Sequence, residues 1–294
     1  MDFLLQILNG LQIGSVYSLV ALGYTMVYGI ALLINFAHGE VIMVGAYTVS
    51  YTIGLVLQER GLPFYIAVIP SAIVCTIVGV LIERLAYKPL RNSPKISNLI
   101  TAIGVSLLLQ NLVMKFIGAN AVSLPPIFNG KIEVGNSQIS SSVIITIIST
   151  VILTVLLQFF MKKTKYGKAM VATSEDYGAA ALVGINVDNT LTMTFAIGSF
   201  LAGIASLLYL AAYPQAQPLM GSALGIKAFT AAVVGGIGLI PGAVLGGFLL
   251  GIVETLTKAY ISSSLADAIV YSMLILVLIF KPTGLLGKNI KEKV

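Results

Sequence analysis

The chain has 294 residues, 57% of them hydrophobic and only 10% charged, with a mean hydropathy of +0.99. A soluble domain carries about 25% charged residues, so an ordinary soluble globule is excluded and an all-α polytopic membrane protein is indicated, a single membrane domain over residues 1–294. The net charge of +6 does not point to nucleic acid, because twelve of the 17 basic residues fall in three clusters of four between apolar runs, as the positive-inside rule expects.

A single cysteine, Cys75, lies within an apolar run and reads as a small buried hydrophobe. No basic segment precedes the first apolar run, which is also too long for the core of a signal peptide. Insertion by the first transmembrane helix is expected instead.

Residues Phe3 to Ala37 carry no formal charge. One crossing needs about 20 residues, so this run holds a span and something more. Gly10, Gly14 and Ser18 set small residues along one helix face, the pattern of close helix packing. The run ends in NFAHGEVIMVGAY, where polar Asn35, His38 and Glu40 and flexible Gly39 interrupt two apolar segments. Two forms fit: a loop at the membrane surface, which periodicity alone favours, or a helix broken at depth. Irregular backbone at depth is tolerated only where protein buries it or a cavity adjoins it.

Val41–Leu57 and Phe64–Ile82 are the next apolar runs. The first basic cluster follows, Arg84, Lys88, Arg91 and Lys95, with Pro89 and Pro94 breaking any helix. Ile96–Ile117 is another span. The polar region 118–142 reads as an external loop with room for a short hairpin, and Val143–Met161 crosses back.

Residues 162–190 are the most charged part of the chain and read as a docking loop. Lys162, Lys163, Lys165 and Lys168 form the second basic cluster. A short helix of about ten residues is expected after it. Thr173 or Ser174 would cap its start, with Glu175 and Asp176 in the first turn. Ala179, Ala180 and Leu182 follow, and Gly184 would close the helix in a left-handed conformation. Such a helix is too short to span a bilayer. On local sequence, a cytoplasmic docking helix and an ordinary solvated one both fit.

Leu191–Tyr213 spans again. In the run after it, Gly235, Gly236 and Gly238 with Pro241-Gly242 interrupt a helix. The last span is expected to begin before Asp267, and the tail carries the third basic cluster, Lys281, Lys288, Lys291 and Lys293. If all three clusters face the cytoplasm, an even number of crossings separates each pair. The glycine-rich run then does not cross once. A re-entrant form turning near Gly235–Gly242 is favoured over two short crossings; about eight transmembrane helices result, with broken or re-entrant helices and a short cytoplasmic coupling helix. The side of the N-terminus stays open.

No phosphate loop, nucleophile elbow or His-Glu-x-x-His motif is present. Intramembrane ionisable residues are functional candidates by default, and His38 and Glu40 lead. Glu254 and Lys258, four apart on one helix, read as a simple pair, and Lys227 as an interfacial lysine.

Four passages carry a resemblance: residues 8–47, residues 83–111, the centre KYGKAMVATSEDYGAAALVGINV, and FTAAVVGGIGLIPGAVLGGFLLGIVE. Together they resemble the permease subunits of branched-chain amino-acid ABC transporters, the LivH type, over nearly the whole chain. The resemblance implies a plasma-membrane importer subunit, with a bacterial source expected. Its partners would be a second related permease, two cytoplasmic ATPases, an extracytoplasmic amino-acid-binding protein and the lipid around it. ATP and magnesium would sit on the partner ATPases; this chain would bind no cofactor or metal and have no catalytic site. Docking would fall to Gly167, Lys168, Glu175, Asp176, Ala179, Ala180, Leu182 and Gly184. The translocation path would involve Asn35, Phe36, His38, Gly39, Glu40, Gly235, Gly236 and Gly238. Val171 stands where the family usually has arginine. Importers of urea or short amides share these passages, and a self-sufficient secondary transporter is the alternative from another class.

Overall fold

Helix α1 (Asp2–Ala31) is the axis on which several of the other helices pack. The computed structural model of the protein describes residues 2–91, 93–134 and 137–287. After a non-helical break, α2 (His38–Thr52) continues through a π turn to Leu57. Next come α3 (Val68–Ile82), which ends in a π turn over Glu83–Tyr87, then α4 (Lys95–Phe116) and α5 (Ser141–Lys163). Two short helices follow, α6 (Lys165–Glu175) and α7 (Tyr177–Leu182). The chain ends in α8 (Val187–Ala212), α9 (Met220–Gly235), α10 (Ile240–Tyr260) and α11 (Ala266–Phe280). Among the described residues, eight helices are long and apolar enough to cross a membrane. A 3-10 turn at Ser263–Leu265 begins the last of them, ahead of Asp267 as expected.

Small residues set how closely the core helices approach. Gly10 of α1 packs on Ile252 of α10, Gly14 on Gly247 and Phe248, and Gly29 on Gly238. The numbers rise on one helix as they fall on the other, so the two run antiparallel. A side chain on Gly251 would collide with the backbone of Gly10 and Gly14. Without a hydrophobic drive between helices in lipid, such close backbone approach supplies the packing energy. Burial is greatest in α1, where 83% of the apolar window is covered, against 11% in α4 and in α11.

Three observations mark one end of the bundle as cytoplasmic. The end of α1 meets the 162–190 segment, where the Tyr177 hydroxyl donates to the Ala31 carbonyl at 3.0 Å. The first basic cluster reaches the same end, since the Tyr87 hydroxyl donates to Asn35 Oδ1 at 3.1 Å. The segment after α11 lies there too: the amides of Leu285 and Leu286 donate to the carbonyls of Val234 and Gly235, at 2.8 and 3.0 Å. Positive clusters face the cytoplasm, so the start of α1 faces outside. Lys288, Lys291 and Lys293 lie outside the described residues. At the outer end, β2 (Lys131–Val134) and β3 (Ser137–Ser140) form the expected hairpin. There also β1 (Val122–Ser123) pairs with β4 (Gln215–Ala216), tying the external loop to the segment before α9.

The glycine-rich run departs from the favoured re-entrant form. It enters and leaves on the outer side, but its turn lies at the cytoplasmic end, with Gly238 on Gly29 and Gly236 on Gly287. The hairpin α9–α10 therefore traverses the bundle twice, the alternative weighed from charge parity. At about 1.5 Å per residue, the 16-residue α9 reaches that end by starting below the outer surface, after the extended segment 213–219.

Replacing Gly251 with valine should destabilise the fold by about 1–3 kcal/mol through overpacking, whereas valine at Gly104, which has open space around it, should not; thermal unfolding in detergent compares them. A cysteine in place of Asn9, exposed at the outer end of α1, should react with an impermeant thiol reagent from outside in right-side-out vesicles. Labelling only in inside-out vesicles would reverse the topology.

Candidate functional site

The break after α1 turns back into the bundle and is buried from Asn35 on. Leu32 takes a left-handed φ of +53°, which ends α1, and α2 starts only at His38. His38 packs against Gly23, eight residues before the end of α1, so α2 begins about 12 Å back from that end. Asn35, His38 and Glu40 are 3%, 1% and 0% exposed. The surface loop favoured by periodicity is thus replaced by a broken helix, because Gly39 fits against Gly221 and Gly225 of α9 and lets the broken backbone be buried by protein.

The side chains of the break meet those of three other helices. Asn35 Oδ1 accepts from the Ala37 amide at 3.1 Å, closing the turn before α2. Phe36 packs on Phe229 of α9, with ring centroids 5.6 Å apart. The His38 ring stands edge-on to Tyr24 of α1 at 5.1 Å. Glu40 Oε1 accepts from Gln110 at 2.7 Å, Ser222 at 2.9 Å and Ser106 at 3.2 Å. Glu40 Oε2, His38 Nε2 and the Tyr24 hydroxyl have no hydrogen-bond partner in the protein. Buried polar atoms of this kind are normally satisfied. Here a carboxylate oxygen, an imidazole nitrogen and a phenol are gathered near the start of one helix, with Glu40 Oε2 set against Gly221 and His38 Nε2 against Gly23.

The structure thus unites Asn35, Phe36, His38, Gly39 and Glu40. It sets Gly235, Gly236 and Gly238 apart, at the cytoplasmic turn. There Gly238 shares a cavity of about 590 Å³ with Lys162, Lys168, Val171 and Pro241. Sequence reasoning missed Ser106, Gln110, Ser222 and Tyr24. Ser106 and Gln110, four apart on an apolar helix, were a readable signal of a polar face; Tyr24 and Ser222 gave none.

A second buried charged group links α1, α9, α10 and α11. Glu254, 1% exposed, accepts from Lys227 at 2.8 Å, Lys258 at 2.6 Å and the Tyr17 hydroxyl at 2.7 Å. Lys227 also pairs with Asp267 at 2.7 Å. The expected Glu254–Lys258 pair is present, but Lys227 is no simple interfacial lysine: it bridges two carboxylates from α10 and α11.

The docking segment forms two helices where one was expected. Thr164 caps α6 by accepting from the Gly167 amide at 3.0 Å, and Gly167 packs on the backbone of Phe160 and Met161. Thr173 is buried within α6 and does not start a helix. Asp176, extended at φ −160°, caps α7 instead through the Ala179 amide at 2.8 Å. Glu175 ends α6 and so lies in no first turn. Gly184, at φ +85°, closes α7 in the expected left-handed conformation. Lys168, Glu175, Asp176, Ala179, Leu182 and Gly184 are exposed, and Leu182 is 90% so; Gly167 and Ala180 face inward.

A family profile described as the permease component of the branched-chain amino acid transport system matches residues 6–278. The chain belongs to this permease family. It is 45% identical to the high-affinity branched-chain amino acid transport system permease protein LivH of Escherichia coli K12, covering 99% of this chain and 98% of that protein. It is 42% identical to BraD of Pseudomonas aeruginosa, a permease protein of the same description, with the same coverage. A probable LivH from Methanocaldococcus jannaschii is 31% identical over 93% of this chain and 89% of its own. No solved structure matches. As a permease with eight long apolar helices, the protein is a multi-pass protein of the bacterial plasma membrane.

Truncating Glu254 to alanine should destabilise the permease by about 3 kcal/mol, because it removes the buried acceptor shared by Lys227, Lys258 and Tyr17 and leaves Lys227 only the exposed Asp267. Adding Lys227→Met should recover part of that loss, since Lys258 is exposed enough to reach water. Melting temperatures of the single and double variants in detergent decide it.

Proposed function

We propose that the chain is the membrane permease subunit of an ATP-driven importer of branched-chain amino acids. The observation that carries this reading is the near-full-length identity to LivH and BraD, permease proteins of branched-chain amino acid transport. On this reading the chain forms the translocation path with a second, related permease. Two cytoplasmic ATPases bind and hydrolyse ATP with magnesium, and an extracytoplasmic binding protein delivers the substrate. The permease itself hydrolyses nothing.

Within the chain, the break at residues 32–40 is assigned to the path. Its support is the set of buried, unpartnered polar atoms on Tyr24, His38 and Glu40. Glu40 supplies an acceptor suited to a substrate ammonium. Phe36 of the break packs on Phe229 of α9 and adds an apolar element. The docking role is assigned to the exposed face of α6 and α7. Leu182 and Val183, 90% and 76% exposed, stand on the cytoplasmic side, where lipid does not cover them. An ATPase groove would bury both. Val171, 47% exposed, lies on the cavity beside Lys168. An apolar contact there takes the place of a charged one.

Affinity purification of the tagged permease from its native membrane should recover two ATPases and a second permease, with ATP hydrolysis stimulated by leucine, isoleucine or valine in the presence of the binding protein. Leu182→Asp should reduce ATPase recovery severalfold while membrane insertion is retained. A protein purified alone, yet active in liposomes without ATP, would replace this reading with a secondary transporter.

A further inference from the structure

The break after α1 is held from both sides by tyrosine hydroxyls, and both holds lead to the docking segment. The last carbonyls of any helix lack donors within that helix, and in a bilayer they must find partners elsewhere. Here the Tyr177 hydroxyl meets the carbonyls of Ala31 and Ile30, at 3.0 and 3.3 Å. Tyr177 is the first residue of α7, directly after the Asp176 cap. On the other side, the Tyr87 hydroxyl meets Asn35 Oδ1 at 3.1 Å and the Ile34 carbonyl at 3.4 Å.

Tyr87 closes the π turn of α3, and that turn is tied to the start of α8. Lys88 pairs with Asp188 at 2.9 Å, and Arg91 pairs with the same carboxylate. Arg91 also pairs with buried Glu83 at 2.7 Å, and Glu83 accepts from Thr192 at 2.8 Å. Asp188 and Thr192 lie in the first turns of α8, where the docking segment ends. The segment therefore grips the break twice: directly through α7, and through α8 by way of the end of α3. Between the two grips, Leu32 holds a left-handed conformation that a leucine rarely adopts. Strain held by a few directional bonds is what a small displacement can release.

We propose that Tyr177 and Tyr87 are positioning residues that pass movement of the docking segment to the membrane break and so set the conformation of residues 32–37. This rests on the reading that α6 and α7 dock an ATPase. A shift of α7 of about 1 Å would carry the Tyr177 hydroxyl beyond hydrogen-bond range of Ala31. The end of α1 would then need new donors, and the break would rearrange. Phenylalanine at either position keeps the ring and its packing but removes the hold.

The test uses the complete transporter in inside-out vesicles, with two reporter cysteines in separate preparations. Leu33→Cys reports on the break, since Leu33 lines a cavity of about 380 Å³ with Tyr28, Leu32 and Asn98. Leu182→Cys reports on docking, by cross-linking to the ATPase. The native cysteine, Cys75, is buried. In the parent, a non-hydrolysable ATP analogue should change the rate at which an impermeant maleimide labels the break reporter. Tyr177→Phe and Tyr87→Phe should each cut that nucleotide-dependent change by about fivefold to tenfold, the effect of one lost hydrogen bond, with the docking cross-link unchanged. The double variant should abolish it. An unchanged response in both single variants, with the cross-link intact, would overturn the proposal. Absence of the cross-link in the parent would overturn the docking reading itself. Should Tyr177→Phe fail to assemble, Tyr87→Phe, remote from the docking surface, decides by the same readout.

Discussion

An interrupted helix inside a membrane leaves backbone groups that neither water nor lipid can satisfy, and the arrangement of this permease answers that constraint. Residues 32–37 leave the helical path at the cytoplasmic end of α1 and turn back into the bundle, where Asn35 and Ala37 are buried. Asn35 and Tyr87 meet polar groups within this stretch, and Tyr177 meets the carbonyls of Ile30 and Ala31 just before it. Gly39 then lets α2 start against α9 at van der Waals distance. Without these partners each unsatisfied group would cost several kcal/mol in hydrocarbon, and a continuous helix would win. The break thus exists because four other helices are shaped to receive it.

Close packing makes that reception possible. Where α1 meets α10, glycine lies on glycine, and the backbones touch. This brings Tyr17 within reach of Glu254, and Glu254 within reach of Lys227. The same closeness holds the α9 hairpin beside the break, where Ser222 reaches Glu40. Two buried carboxylates result, with different surroundings. Glu254 is met by two lysines and a tyrosine, so its charge is compensated. Glu40 is met by neutral donors alone and keeps one oxygen without a partner. The first carboxylate ties four helices together; the second lies buried against Gly221 beside the break.

The cytoplasmic surface follows a different physical logic. Asp176 splits the docking segment because its carboxylate caps α7 better than it would serve inside a longer helix. The split turns Ala180 inward and leaves Leu182 on the outside. It also places Tyr177, the residue after the split, at the end of α1. The exposed face of α7 and the residue that touches the end of α1 are thereby parts of one short helix.

Much of this was legible in the sequence. Apolar runs and basic clusters determined the membrane class, the spans and the cytoplasmic end, because hydropathy and positive charge act locally and need no knowledge of neighbours. Gly184 foretold its own left-handed conformation for the same reason. Polar groups between two apolar segments marked Asn35, His38 and Glu40, and the family likeness in residues 8–47 added the translocation path. Tertiary structure alone decided that the break is buried, since NFAHGE reads equally well as a surface loop until Gly221 and Gly225 are placed against Gly39. It alone decided that the hairpin of α9 turns at the cytoplasmic end, that Asp176 rather than Thr173 caps a helix, and that Lys227 joins two carboxylates. The Asp176 cap is local, made to Ala179, but it competes with other caps that the sequence allowed equally; the others depend on a partner dozens to hundreds of residues away, and a helical pattern cannot name the helix it will face.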